Sequence, residues 1–382
     1  MLFHLVSSPF TSSFDSFILE SVRSLIPYPI ENIHTTQIQL KLKNGGLGFR
    51  NSSIHHSAAY FSSINQCLSM VKDIFNASNQ SSSDLVVSAN FLKIAEADIY
   101  SRVSDDFRPL PFSQKLLSNE IDRMQFNSLL SSSSTIDRAR LLSISSPHAT
   151  AFLSAIPSPK LSLSNEQFSV IIAYFLGLVI FPKEELCRAP NCSKKMDIFG
   201  HHAIRCGKKG DWNIRHNRIR DYIFDIASAA LVEPVKEPLH LVRNCGMKCA
   251  DVAIPNYPFL NMTGAIDFFI TDPLRKDFIA RSSEIRGFAV NHYAVNVKEA
   301  KYSDLLAKDS RVSLIPFGIE SFGAFNEAAC SAISFFATHL TQRGGLKRSF
   351  SCVIQDIYSN ISVILQRSNA NIILSRMKRV VV

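Results

Sequence analysis

Residues 264–274 read GAIDFFITDPL. Apolar, β-branched and aromatic residues fill this run, and Asp272-Pro273 closes it, so it reads as a β-strand. Asp267 stands inside it. An aspartate within an apolar strand is costly unless it is paired or bound to a cation. Just upstream, MKCADVAIP (247–255) repeats the pattern with Asp251, and a Pro/Asn/Gly-rich turn region separates the two. If the strands are neighbours, both carboxylates converge on one divalent ion, the hard-oxygen environment that Mg²⁺ prefers. Lys298 opens KEAKY (298–302) downstream, and Tyr302 lies four residues on, on the same helical face. Two acids and a lysine are the minimum for metal-assisted phosphodiester hydrolysis. The plainer reading is that each aspartate pairs with its own Arg or Lys, or caps a turn.

Outward from these strands, the spacing predicts a helix over 281–306, a third strand over 313–323 (SLIPFGIESFG), and helices over 324–342 and 351–376. Upstream, RHNRIRDYIFDIASAAL (215–231) is amphipathic and helical. The C-terminal half therefore reads as α/β, a small sheet covered by helices. The N-terminal half reads as mostly helical: 14–26, 54–75, 84–130 and 161–180. Its exception is QIQLKLKNGGLGFRN (37–51), which alternates like a strand and carries turn glycines at 45, 46 and 48. The most apolar run, 169–181, is too short to cross a bilayer and reads as a buried helix.

Between the halves lies CRAPNCSKKMDIFGHHAIRCGKKGDWNIRHNRIR (187–220). Cys187, Cys192 and Cys206, with His201 or His202, match the compact ligand set of structural zinc; reduced core cysteines are the alternative. The window holds nine Lys/Arg against two Asp, most of the excess in a chain whose net charge is +9. Lys194, Lys195, Lys208, Lys209, Arg215, Arg218 and Arg220 are the candidate contacts to a polyanion. Cys245 and Cys249 read as core cysteines, as do Cys67, Cys330 and Cys352 in helical patterns.

A 46% hydrophobic fraction over 382 residues allows two domains with real cores. Residues 1–10 (MLFHLVSSPF) lack a basic n-region and a long apolar run, so no signal peptide is expected. Clustered cysteines then point to metal in a reducing compartment rather than to disulfides. No GxSxG elbow and no GxxxxGK[ST] loop occurs.

The order CxxxxC…GHHAIRC, RHNRIRD, CADV, GAIDFFITDPL, KEAKY, FGIESFG resembles the C-terminal part of site-specific non-LTR retrotransposon proteins. There, a zinc knuckle precedes a restriction-like endonuclease of the PD-(D/E)xK type. LKLKNGGLGFRNSSIHHSAAYFSS (40–63) similarly resembles the region following a reverse-transcriptase palm, although no FxDD or YxDD motif is present. The resemblance implies three segments: a helical connector (1–185), a CCHC knuckle (186–210) and a restriction-endonuclease-like domain (211–382). It implies Cys187, Cys192, His202 and Cys206 as Zn²⁺ ligands and Asp251 and Asp267 as ligands to Mg²⁺ or Mn²⁺. Lys298 would be the nuclease lysine, with Tyr302 and Glu320 as further catalytic-site residues; His216 and Asn217 join the nucleic-acid contacts. The implied partner is DNA, or else RNA, with no membrane, and the implied compartment is the nucleus. The rival expectation is a nucleic-acid-binding remnant that keeps the fold without turnover.

Overall fold

The computed structural model describes residues 8–78, 83–103, 113–239, 241–242, 250–306, 309–343 and 348–377. Within these, the side chains of residues 8, 68–69, 71–72, 74–78, 83–91, 209, 304–306 and 343 are outside the described set. The chain is a mixed α+β protein that divides into two compact units, Met1–Ser132 and Ser133–Val382. The division lies at 132/133, within the expected segment 1–185, and the Cys/His segment belongs to the larger unit.

The first unit is helical: α1 (Ser8–Leu25), α2 (Asn32–Gln39), α3 (Ser52–Ser78), α4 (Ser83–Tyr100) and α5 (Gln114–Ser132). Ala58, Phe61, Ala95, Ile99, Leu117 and Ile121 close a core between the last three. The strand expected over 37–51 is absent. That stretch ends α2 and then forms a 3₁₀ turn, Leu42–Asn44, with Gly45 and Gly48 at positive φ. Ile38 and Leu40 are fully buried, so the alternation reflected two core contacts rather than a pleat. Gly46 is required here because a Cβ would fall 2.0 Å from the Leu40 carbonyl oxygen. Buried Asp122 fixes the turn by pairing with Lys41 at 2.6 Å, with Arg50, and with His55 at 3.3 Å.

The second unit carries α6 (Thr135–Ile144), α7 (Asn165–Leu176), the hairpin β1 (Glu185–Leu186) and β2 (Lys195–Met196), α8 (His201–Arg205) and α9 (Asp211–Ala229). The apolar run at 169–181 is accordingly the buried part of α7 and its C-terminal turn. Among the described residues, no helix is long and apolar enough to cross a membrane. The main sheet has the order β3-β4-β5-β6, from Val235–Lys236, Val252–Pro255, Thr263–Thr271 and Val312–Glu320. The first two pairings are antiparallel and β5/β6 is parallel. A parallel pair needs a crossover, and here residues 272–311 supply it. The single helix expected over 281–306 is broken into α10 (Ile279–Ser282), α11 (Phe288–Tyr293), a π-helical turn (Ala294–Glu299) and α12 (Ala300–Leu306). Gly287, at positive φ, separates the first two pieces.

Strand parity sorts the sheet's two faces. Val252, Ile254, Ile266, Phe268, Ile315, Phe317 and Ile319 pack onto α9, α13 (Glu327–Arg343) and α14 (Phe350–Leu374), forming the main core. The opposite face carries Ala265, Asp267 and Phe269, and the crossover covers it: Tyr302 packs with Ala265, and Val290 and Ala294 with Phe269. Gly318, opposite Phe269 in register, makes this possible, since a Cβ there would lie 2.2 Å from the Phe269 ring and 2.6 Å from Val290.

Candidate metal centre and acidic pocket

The cysteine cluster is assembled locally. β1 pairs with β2, and the Cys187 N–H donates to the Lys194 carbonyl at 2.9 Å, bringing both ends of the loop together. Asn191, at positive φ, turns the loop so that Cys192 points back. Asp197 accepts from the backbone N–H groups of Phe199 (3.1 Å), His201 (3.0 Å) and His202 (2.6 Å), which sets the start of α8. Cys206 follows the last turn of that helix. Cys187, Cys192, His202 and Cys206 then present ligand atoms all within 4.8 Å of one another, a group that could hold a metal ion such as zinc. Sγ of Cys187 and Sγ of Cys206 are 3.8 Å apart, and Sγ of Cys192 is 3.4 Å from Nε2 of His202. A tetrahedron with Zn–S bonds of ~2.3 Å has edges of about 3.8 Å, close to these two separations. Burial holds the His202 imidazole toward its neutral, ligating form. His201, the other candidate, is buried elsewhere, near Asp197 and between the Tyr174 and Phe199 rings.

The acidic pocket is assembled from distant segments. Asp251 lies one residue before β4, where Val252 pairs with Ile266, and close enough to Asp267 to raise its pKa. The Asp251 N–H donates to the Ile266 carbonyl at 2.8 Å, and its Oδ2 accepts from the Phe268 N–H at 2.9 Å. The aspartate side chain thereby completes the ladder where β4 begins. Lys298, carried by the π-helical turn, sets Nζ 2.6 Å from Oδ2 of Asp267 and 5.6 Å from the centre of the Phe269 ring. Nε2 of His216, from α9, lies 3.1 Å from Oδ2 of Asp251 and 3.1 Å from the Phe268 carbonyl. All four line one cleft of about 280 Å³. Burial raises the Asp267 pKa; Lys298 lowers it, the nearby Asp251 raises it, and the balance stays raised. Burial lowers the His216 pKa, but the bond to Asp251 and that carboxylate's charge, with help from Asn217 and the Phe268 carbonyl, leave it raised.

Other expected site residues are placed differently. Tyr302 does not join Lys298 in the cleft: the switch from the π-helical turn to α12 lies between them, and Tyr302 is buried with Ala250, Ala265 and Val312. Glu320 lies on the same sheet face but across from Thr271, four residues beyond Asp267. It is sealed in, accepting from Ser143 Oγ at 2.5 Å and from the Val290 N–H at 3.1 Å. Burial, opposed by those hydrogen bonds and aided by Asp272, pushes its pKa up to about 7.

Among the basic candidates, Arg215 and Arg220 are corrected. Arg215 is 4% exposed and donates to Oδ1 of Asn369 at 2.6 Å, while Arg220 is turned to Asp221 and Glu237. Apolar positions 219 and 223 of the amphipathic helix point inward, and these arginines share that inner side. Lys194, Lys195, Lys208, Asn217 and Arg218 are exposed. Lys209's side chain, Cys245 and Cys249 lie outside the described residues. Cys67 and Cys352 are exposed rather than packed, and Cys330 is partly buried. The sequence reading missed Arg205, Trp212, Arg275 and Lys276, which line the clefts between the cluster and the acidic pocket. Trp212 could have been noticed as the chain's single tryptophan inside its most basic segment. No known protein family matches the chain, and no curated protein sequence matches it.

Proposed function

We propose that the second unit hydrolyses phosphodiester bonds of DNA with a divalent cation, Mg²⁺ or Mn²⁺, held by Asp251 and Asp267. The observation that carries this reading is the convergence of Asp251, Asp267 and Lys298, from a strand edge, a strand and a π-helical turn, in one cleft. The residues fit such a cation: both carboxylates line one cleft, and the Asp267 carboxyl is raised by burial and by its acidic neighbour, a balance that added positive charge would relieve. When bound, the cation supplies charge for a phosphate oxygen and for deprotonation of a water.

The chain's own groups have separable parts. Lys298 neutralises Asp267 and is within reach to hold a non-bridging phosphate oxygen. His216 and the Phe268 N–H fix the Asp251 carboxylate in orientation. In this reading the Cys187/Cys192/His202/Cys206 cluster is a structural zinc knuckle beside the nuclease. The motif order then supports a retrotransposon-derived endonuclease tail acting on nuclear DNA.

One observation favours the rival, an inactive nucleic-acid-binding remnant: each aspartate already has a basic partner, His216 for Asp251 and Lys298 for Asp267. Nicking of supercoiled plasmid in Mg²⁺ or Mn²⁺ separates the two. The proposal expects nicking by the native chain that Asp267→Asn abolishes. Plasmid that stays supercoiled with both, at matched zinc content, supports the remnant.

A further inference from the structure

We infer that the clefts between the cysteine cluster and the acidic pocket form one channel for a single-stranded polynucleotide, with Trp212 as the platform for an unpaired base. The inference rests on the phosphodiester reading and adds to it the form of the substrate. Three clefts, of about 630, 390 and 280 Å³, follow one another. The first and second share Arg205 and Arg275; the second and third share Trp212, Arg215 and Ile270. The first lies against the cluster and is lined by Lys194, Lys195, Lys208, Arg275 and Lys276, with Asp197 and Asp277 as its acids. The last ends at Asp251, Asp267 and Lys298. Cations therefore line the entrance, and the reactive groups close the far end.

Trp212 stands at the junction and is held rigidly. Its Nε1–H donates to the Ile204 carbonyl at 3.0 Å. One face of the indole lies on Gly207, where a Cβ would come within 2.9 Å of the ring. The side chain nevertheless remains 47% exposed. An indole fixed by its N–H and by a glycine, with surface left open in a basic cleft, is arranged to stack rather than to fill a core. Bases inside a duplex are already stacked on both faces, so along a strand the ring engages an unpaired base. Base–aromatic stacking tolerates any base, while backbone cations track the phosphates.

Because Trp212 is the chain's sole tryptophan, its emission reports this contact directly. The zinc-loaded full chain, without added Mg²⁺, is titrated with twelve-nucleotide oligo(dT), oligo(rU), a blunt duplex of equal length, and heparin. Quenching by a single strand, absent with duplex and heparin, is expected; a preference between oligo(dT) and oligo(rU) identifies DNA or RNA as the source. Trp212→Ala should weaken binding of a labelled single strand roughly 5- to 150-fold, the range given by ~1–3 kcal/mol per stacked base. Duplex binding should change less than about twofold, and Trp212→Phe should recover part of the loss at unchanged zinc content. Unquenched emission at saturating strand overturns the inference, as does quenching by heparin, or an equal loss of duplex binding in Trp212→Ala. The titration involves no cleavage, so it can succeed in a chain that does not cut, and can fail while plasmid nicking persists.

Discussion

The cysteine cluster takes its four ligands from a single run, Cys187 to Cys206, whereas the acidic pocket draws His216, Asp251, Asp267 and Lys298 from four separate segments. The first is a hairpin, a turn and a helix of five residues, and its ligand atoms meet because the chain between them is short. The second exists only if β4 and β5 are in register, the crossover is seated, and α9 is docked on the other side of the sheet. A soft-ligand cluster tied by local chain and a hard-ligand pocket tied by tertiary packing should therefore fail under different perturbations.

The largest expected effect is at the cluster. Cys192→Ser should abolish retention of one zinc per chain, measured by elemental analysis after dialysis. Structural zinc is worth ~10–16 kcal/mol in small zinc peptides, so loss of one thiolate is rarely tolerated. The β1/β2 hairpin should then lose protection in hydrogen exchange while the main sheet keeps it. Loss of protection across the sheet as well would mean that the two sites are not built independently.

The sheet side is probed through Glu320. Its folded pKa, about 7, lies above that of an exposed glutamate, so the folded state favours the protonated form. That contribution to stability is complete below the usual glutamate pKa of ~4.3 and is lost as pH rises through about 7. Glu320→Gln imitates the protonated form. It should raise stability by roughly 3–4 kcal/mol at pH 8 and change little at pH 4.5, read from denaturant midpoints. Gains that are equal at both pH values would assign the effect to packing instead.

A smaller effect tests the seat of the crossover. Gly318→Ala drives a methyl group against Phe269 and Val290 and should cost about 1–3 kcal/mol, without changing zinc content. Since Phe269 also lies beneath Lys298, the same variant should weaken the pocket more than the cluster. The smallest effect is electrostatic: replacing Lys194 and Lys195 with Gln should flatten the dependence of log affinity on log salt by about 0.7 per lysine for a single strand. Arg215→Gln should leave that slope unchanged, because its guanidinium is buried on Asn369.

The same contrast explains what could be read in the sequence. The spacing of Cys187, Cys192, His202 and Cys206 was legible because short-range spacing is itself the geometry. The strands around Asp251 and Asp267 were legible because burial on both faces leaves a continuous apolar run. Their meeting in one cleft follows from tertiary packing, which the sequence offered only on the condition that the strands are neighbours. Burial of Arg215 and Arg220 was hidden, since a basic helix looks outward-facing until the surface it docks against is known. The strand expected at 37–51 failed for a related reason: alternating Ile38 and Leu40 fit two core sites of a helix end and turn as well as they fit a pleat. Tyr302 was misplaced because four-residue spacing assumes an unbroken α-helix, and the π-helical turn at Ala294–Glu299 breaks it.

Divalent-cation binding tests the central claim most directly, independently of turnover. Zinc-loaded native chain, Asp251→Asn and Asp267→Asn are titrated with Mn²⁺ and bound ion is counted by electron paramagnetic resonance. The account predicts one Mn²⁺ site in the native chain, lost in both variants while zinc content stays constant. Native chain that binds no Mn²⁺, or variants that bind it as well as the native chain does, would contradict a cation site between these two aspartates.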